Sequence, residues 1–114
     1  MPHFVIDCSP NVLKLKTPQE IIQAIHDTAE ATQLFAKGDI KVRINSYEHF
    51  TVGNTDNDFI HVFGYIMEGR NTAQKAALSR DIVSMLKTMF PAVPVISMNV
   101  ADFEKATYCN RKML

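Results

Sequence analysis

The sequence predicts an α/β (α+β) fold in which two β-α-β units form one four-stranded sheet with two helices on one face. Three observations predict it. The order strand, helix, strand occurs twice along the chain, each helix has its own start signal, and 114 residues fit one domain, 1–114, with no second core.

His3-Phe4-Val5-Ile6-Asp7-Cys8 is short, apolar and rich in β-formers, and Ser9-Pro10-Asn11 closes it as a turn. In Thr17-Pro18-Gln19-Glu20 a hydroxyl sits at the cap, proline at the first helical position and glutamate at the third, a capping box. Ile21, Ile22, Ile25 and Ala29 recur behind it at helical spacing, which predicts a helix to about Gln33, and Lys37-Gly38-Asp39 breaks the pattern. Ile40 to Asn45 alternates strictly. Ile40, Val42 and Ile44 take one face of a strand, and Lys41, Arg43 and Asn45 take the other.

Tyr47 to Val52 reads as a short extended piece before the turn cluster Gly53 to Asp58. Phe59 to Met67 follows as a long strand that is apolar on both faces, so both faces need cover. Glu68-Gly69-Arg70 ends it, and Asn71 or Thr72 caps a second helix whose stripe is Leu78, Ile82, Met85, Leu86 and Met89, stopped by Pro91. Val93 to Val100 completes the strands. The mixed tail from Asp102 to Leu114 receives no assignment. Helical crossovers join parallel strands, so each unit gives a parallel pair.

Composition narrows the function. Twelve Lys plus Arg balance twelve Asp plus Glu, so no global field draws in nucleic acid or an anionic membrane. No apolar run reaches the roughly 20 residues of a membrane span, and the first residues lack the pattern of a cleavable leader, which predicts a cytoplasmic protein. Cys8 and Cys109 form no CxxC pair, and His3, His26, His49 and His61 form no HExxH pattern; no metal and no cofactor is expected. Two helices cover one sheet face only. The large apolar residues on the other face, left in water, would forfeit about 25 cal/mol per Å², so a homo-oligomer packed sheet to sheet is expected.

Pro2 stands directly before the first strand. Initiator methionine is ordinarily trimmed before proline, which would leave Pro2 with a free secondary amine. An α-amino group titrates near 7.7–8.0, and an apolar setting with nearby cations lowers that value towards neutrality, where a general base works best. A proline following a start codon by accident is the competing explanation. Arg70 precedes a helix N-terminus, where unpaired N–H groups and the dipole favour an anion, and its planar fork suits a carboxylate. Lys41 and Arg43 offer a paired cationic strand face; a solvated edge that discourages aggregation would look the same.

Met1-Pro2-His3-Phe4, the run Asp7-Cys8-Ser9 with Asn11 behind it, and Gly69-Arg70-Asn71 opening the second helix resemble the 5-carboxymethyl-2-hydroxymuconate isomerase family of the tautomerase superfamily. The similarity of order and spacing covers nearly the whole chain. The resemblance implies a tautomerase-like fold, a homotrimer, and Pro2 as the base and then the acid that moves a proton between a dienol hydroxyl and a carbon. It also implies that cationic side chains, Arg70 with Lys41 or Arg43 here, bind the carboxylates of a small unsaturated 2-hydroxy acid formed in breakdown of homoprotocatechuate. Lys41 stands where the family pattern suggests an arginine, which keeps the charge but loses the fork. Phe35, Phe50, Phe103 and Tyr108 are candidate pocket walls. A tautomerase, hydratase or decarboxylase of another dienoate uses the same proline, and a non-catalytic oligomeric binding module would need only the fold.

Overall fold

A computed structural model describes all residues, 1–114. Its elements are β1 (His3–Cys8), α1 (Val12–Leu15), α2 (Pro18–Ala31), β2 (Lys41–Ser46), β3 (Phe59–Met67), α3 (Thr72–Met89) and β4 (Val95–Phe103), with 3-10 turns at Lys105–Thr107 and Arg111–Met113. The strands form one mixed sheet in the order β2-β1-β3-β4. Both crossover pairs, β1 with β2 and β3 with β4, are parallel as expected, and the two units join through an antiparallel β1–β3 pair at the centre.

The helices start as their signals predict. Thr17 accepts from the backbone N–H of Glu20, whose carboxylate accepts from Thr17 in return. Asn71, rather than Thr72, caps α3 and makes the same reciprocal pair with Gln74. Ile21, Ile25 and Ala29 of α2 and Leu78, Ile82 and Leu86 of α3 each recur every four residues, and all six are fully buried. They pack on the sheet face made by Phe4, Ile6, Cys8, Ile60, Val62 and Ile66. Gly64 lies in that face opposite Phe4, where an added Cβ would meet the methyl of Met98 at 2.9 Å, so the missing side chain leaves room for both.

Four boundaries differ from expectation. β4 runs Val95–Phe103 rather than Val93–Val100: Val93 donates to Phe90 in a turn, Pro94 has no N–H to give a ladder, and pairing with β3 continues through Met67–Phe103. The tail therefore begins after Phe103. α2 stops at Ala31, because Thr32 turns back on the Ala29 carbonyl and Gln33 takes a φ of +60°. β2 is shifted by one residue to Lys41–Ser46. Tyr47 to Val52 is no strand: Tyr47 donates to the Cys8 carbonyl at the end of β1, and Val52 forms an isolated bridge with Thr55 inside the turn. A third, one-turn helix, Val12–Leu15, arises from the Ser9-Pro10-Asn11 turn and buries Val12.

The opposite sheet face carries a continuous aromatic ladder. His61 and Phe63 lie with centroids 4.4 Å apart, Phe63 and Tyr65 stack at 6.3 Å, Tyr65 and Phe103 at 6.1 Å, and Tyr108 of the tail joins Phe103 at 5.9 Å. These rings stay half-buried in the single chain. His61 is further fixed by Ser97 Oγ at 2.6 Å from Nδ1 and Asn99 Oδ1 at 2.7 Å from Nε2. No helix is long and apolar enough to cross a membrane.

Candidate active site

β1 is an interior strand, so the residues that open it are held on both sides. The Pro2 carbonyl accepts from the Lys41 backbone N–H at 3.1 Å, and Pro2 is buried. With Met1 attached, the nitrogen of Pro2 is an amide and the titrating amine belongs to Met1. Burial holds that amine below its ordinary value; Asp39 pulls the other way, and the charges of Lys41 and Arg70 lower it further. Lys41 from β2 and Arg70 from the turn after β3 thus converge electrostatically on the start of β1.

The three cationic side chains are held differently. Lys41 is half-buried, and its ammonium donates to the Asp39 carbonyl at 2.6 Å. Arg70 donates from Nη1 to the Met67 carbonyl at 3.3 Å and from Nη2 to the Leu34 carbonyl, with its guanidinium carbon 5.2 Å from the Phe35 ring centroid. Arg43 is exposed and pairs with His3 through Nη1 and Nδ1 at 3.0 Å, on the ladder side of the sheet. Burial, then Arg43 and Lys41, lower the pKa of His3, and its Nδ1 accepts from Arg43.

Two contributors escaped the residue patterns: Asp39 opposes the two cations, and His3 engages Arg43 across the β1–β2 register. Phe35, a candidate wall, lies against Arg70. His3 and Arg43 are separated by forty residues, and only the strand register brings them together. Of the aromatic candidates, Phe103 meets the His3 ring edge at 5.9 Å, whereas Phe50 packs on Phe59 at 5.4 Å, at the far end of β3. Cys8 is buried, and its thiol is pushed up to about 11 by burial and by Asp7; Cys109 is exposed, and both are free. His26, Asp27 and Glu30 bring ligand atoms within 4.8 Å of one another along α2, a grouping common among exposed acidic residues.

The paired β-α-β units, the sheet order and the charged entrance to β1 define a tautomerase-fold protein. Its likeness to solved structures has that extent: a Deinococcus radiodurans R1 5-carboxymethyl-2-hydroxymuconate isomerase superposes with a TM-score of 0.84 over 96% of this chain and 88% of its own, at 19% identity. A fused 4-OT protein solved as a symmetric trimer gives 0.79 over 96% and 93%, at 15% identity. In sequence, the Escherichia coli 5-carboxymethyl-2-hydroxymuconate Delta-isomerase is 23% identical over 106 residues, 91% of this chain and 84% of that one. The 5-carboxymethyl-2-hydroxymuconate isomerase family model matches residues 2–111, and the chain belongs to that family. It is an isomerase.

Proposed function

We propose that the protein is a cofactor-free isomerase of 5-carboxymethyl-2-hydroxymuconate, or of a similar polycarboxylated 2-hydroxydienoate, with Pro2 as its base and then its acid once Met1 is removed. The observation that carries this reading is the buried Pro2 at the start of β1, whose carbonyl accepts from the Lys41 N–H at 3.1 Å, with the charges of Lys41 and Arg70 acting on the amine next to it. A neutral proline nitrogen takes the proton from the dienol hydroxyl, the electron pair moves through the conjugated chain, and the nitrogen returns the proton to carbon. Substrate and product therefore differ only in where one hydrogen sits. Arg70 and Lys41 hold carboxylates and stabilise the enolate charge that develops; fixed donors serve best where charge builds up. Arg43, turned to His3, serves a more distant carboxylate.

Residues 1–114 act as one unit within a homotrimer. The half-buried aromatic ladder supports this, since copies packed by that face would cover it, and the trimeric fused 4-OT protein has a similar fold. Balanced charge and the absence of a long apolar helix are compatible with work in the cytoplasm.

The test is the loss of dienol ultraviolet absorbance when 5-carboxymethyl-2-hydroxymuconate meets protein shown by mass to lack Met1. Ketonisation well above buffer is expected, with a loss of about 10²–10⁴-fold in a form that retains Met1, the range spanned by general acid–base catalysis. Equal rates for trimmed and Met1-bearing protein would remove Pro2 from the mechanism. No rate above buffer for trimmed protein would shift the reading to another dienoate or to a binding module.

A further inference from the structure

Arg70 is unusually well held for a residue in a turn. Its two terminal nitrogens reach the carbonyls of Leu34, in the segment after α2, and Met67, at the end of β3. Its guanidinium carbon lies 5.2 Å from the Phe35 ring centroid, within the range of a cation–π contact. Phe35 itself stands edge-on to Phe4, with centroids 6.0 Å apart and planes at 74°, and Phe4 is fully buried two residues after Pro2. One aromatic ring thus touches both the strand that carries the proline and the arginine that faces it.

A guanidinium has five N–H donors. Two are spent on Leu34 and Met67, which leaves three for a ligand, and a carboxylate takes two of them in one plane. The orientation of that plane decides whether the fork can be offered at all, and a free arginine side chain would lose rotamer entropy in adopting it. We propose that Phe35, together with the Leu34 carbonyl, is a positioning residue for Arg70, holding the guanidinium plane so that its remaining donors form a fork for a substrate carboxylate. The proposal rests on the carboxylate-binding reading of Arg70 and deepens it. It selects a planar, doubly accepting anion over a neutral carbonyl at that end of the substrate, and it assigns the selection to the segment between α2 and β2.

The experiment is steady-state kinetics on Met1-free protein for the wild type, F35L, F35Y, R70A and the double variant R70A/F35L. F35L is expected to raise KM about tenfold with a smaller fall in kcat, because Arg70 both binds the carboxylate and meets the developing charge, whereas F35Y keeps the ring and stays near the wild type. In the R70A background F35L should add nothing further, because its effect passes through the arginine. A KM penalty of equal size in both backgrounds, or a fall in kcat at unchanged KM, overturns the proposal. A second readout needs no turnover: the Arg70 side-chain ¹⁵Nε order parameter, expected to be high in the wild type and F35Y and to fall in F35L. Equal mobility in all three also overturns the proposal. Inactive wild type with an ordered Arg70 would sink the isomerase reading and leave the positioning role standing.

Discussion

Ser9 ties the two β-α-β units together at the end opposite the proline, and replacing it with alanine isolates that tie. Ser9 is fully buried. Its hydroxyl donates to Asp58 Oδ1 at 2.9 Å and accepts from the Phe59 N–H at 3.2 Å, while Asn11 Nδ2 donates to the other Asp58 oxygen at 2.8 Å. The Ser9 N–H also donates to the Phe59 carbonyl, a bond that alanine keeps. Ser9→Ala removes a single oxygen and leaves almost no cavity, so the cost is polar. Losing a bond to a charged group costs about 1.5–3 kcal/mol, and the Phe59 N–H left without an acceptor adds about 1–3 kcal/mol; both bonds are only part-buried, so the low ends apply and the expected loss is roughly 3 kcal/mol. With a urea slope near 2 kcal/mol/M, the unfolding midpoint falls by about 1.5 M at unchanged slope. The assay is urea unfolding followed by far-ultraviolet circular dichroism at one fixed protein concentration, which holds constant any contribution from association. Asp58→Asn, which keeps the shape and removes the charge, should lose about half as much. A midpoint shift below about 0.3 M for Ser9→Ala would refute the reasoning, since a buried donor would then have been orphaned at no cost.

Two further outcomes follow from the charges and burial at the ends of β1. Lys41→Gln removes a cation that disfavours a protonated amine at the start of β1, so under the proposed mechanism the acid limb of kcat/KM for Met1-free protein moves to higher pH; an unmoved limb would exclude Lys41 as a tuning charge. Ellman's reagent at pH 8 should titrate Cys109 promptly and Cys8 only after denaturation, because the Cys8 thiol is buried and pushed up to about 11. Two prompt thiols per folded chain would contradict the placement of Cys8 in the core.

The local signals that proved legible are those in which one segment decides its own conformation. Thr17 with Glu20 and the alternation from Ile40 to Asn45 specify helix start and strand faces without help from the rest of the chain. The errors lie where neighbours decide. Phe103 extends β4 because Met67 stands opposite it, and no periodicity between residues 95 and 103 announces that partner. Val12–Leu15 is a single turn, too short for a periodic signal, and it folds where burial of Val12 rewards it. The candidate site divides in the same way. Lys41 and Arg70 are visible from strand alternation and from a turn before a helix. Phe35, Asp39 and His3 acquire their contacts only when β1, β2 and the turn after β3 come together. Asp7-Cys8-Ser9 with Asn11, which carries part of the family resemblance, belongs to the seam with Asp58 rather than to the charged entrance.

The aromatic ladder also determines what light can report. The chain has no tryptophan and three tyrosines, and Tyr65 and Tyr108 both belong to the ladder, in contact with Phe103. The packed interface between helices and sheet buries no tyrosine, and its buried rings are those of the weakly absorbing Phe4 and Phe90. Two of the three tyrosines thus lie on the face where copies would meet, the third being the exposed Tyr47, so tyrosine emission and near-ultraviolet dichroism are weighted towards that face while far-ultraviolet dichroism reports the backbone. Dilution that changes the first two signals and spares the third would separate dissociation from unfolding in one cuvette, without a label.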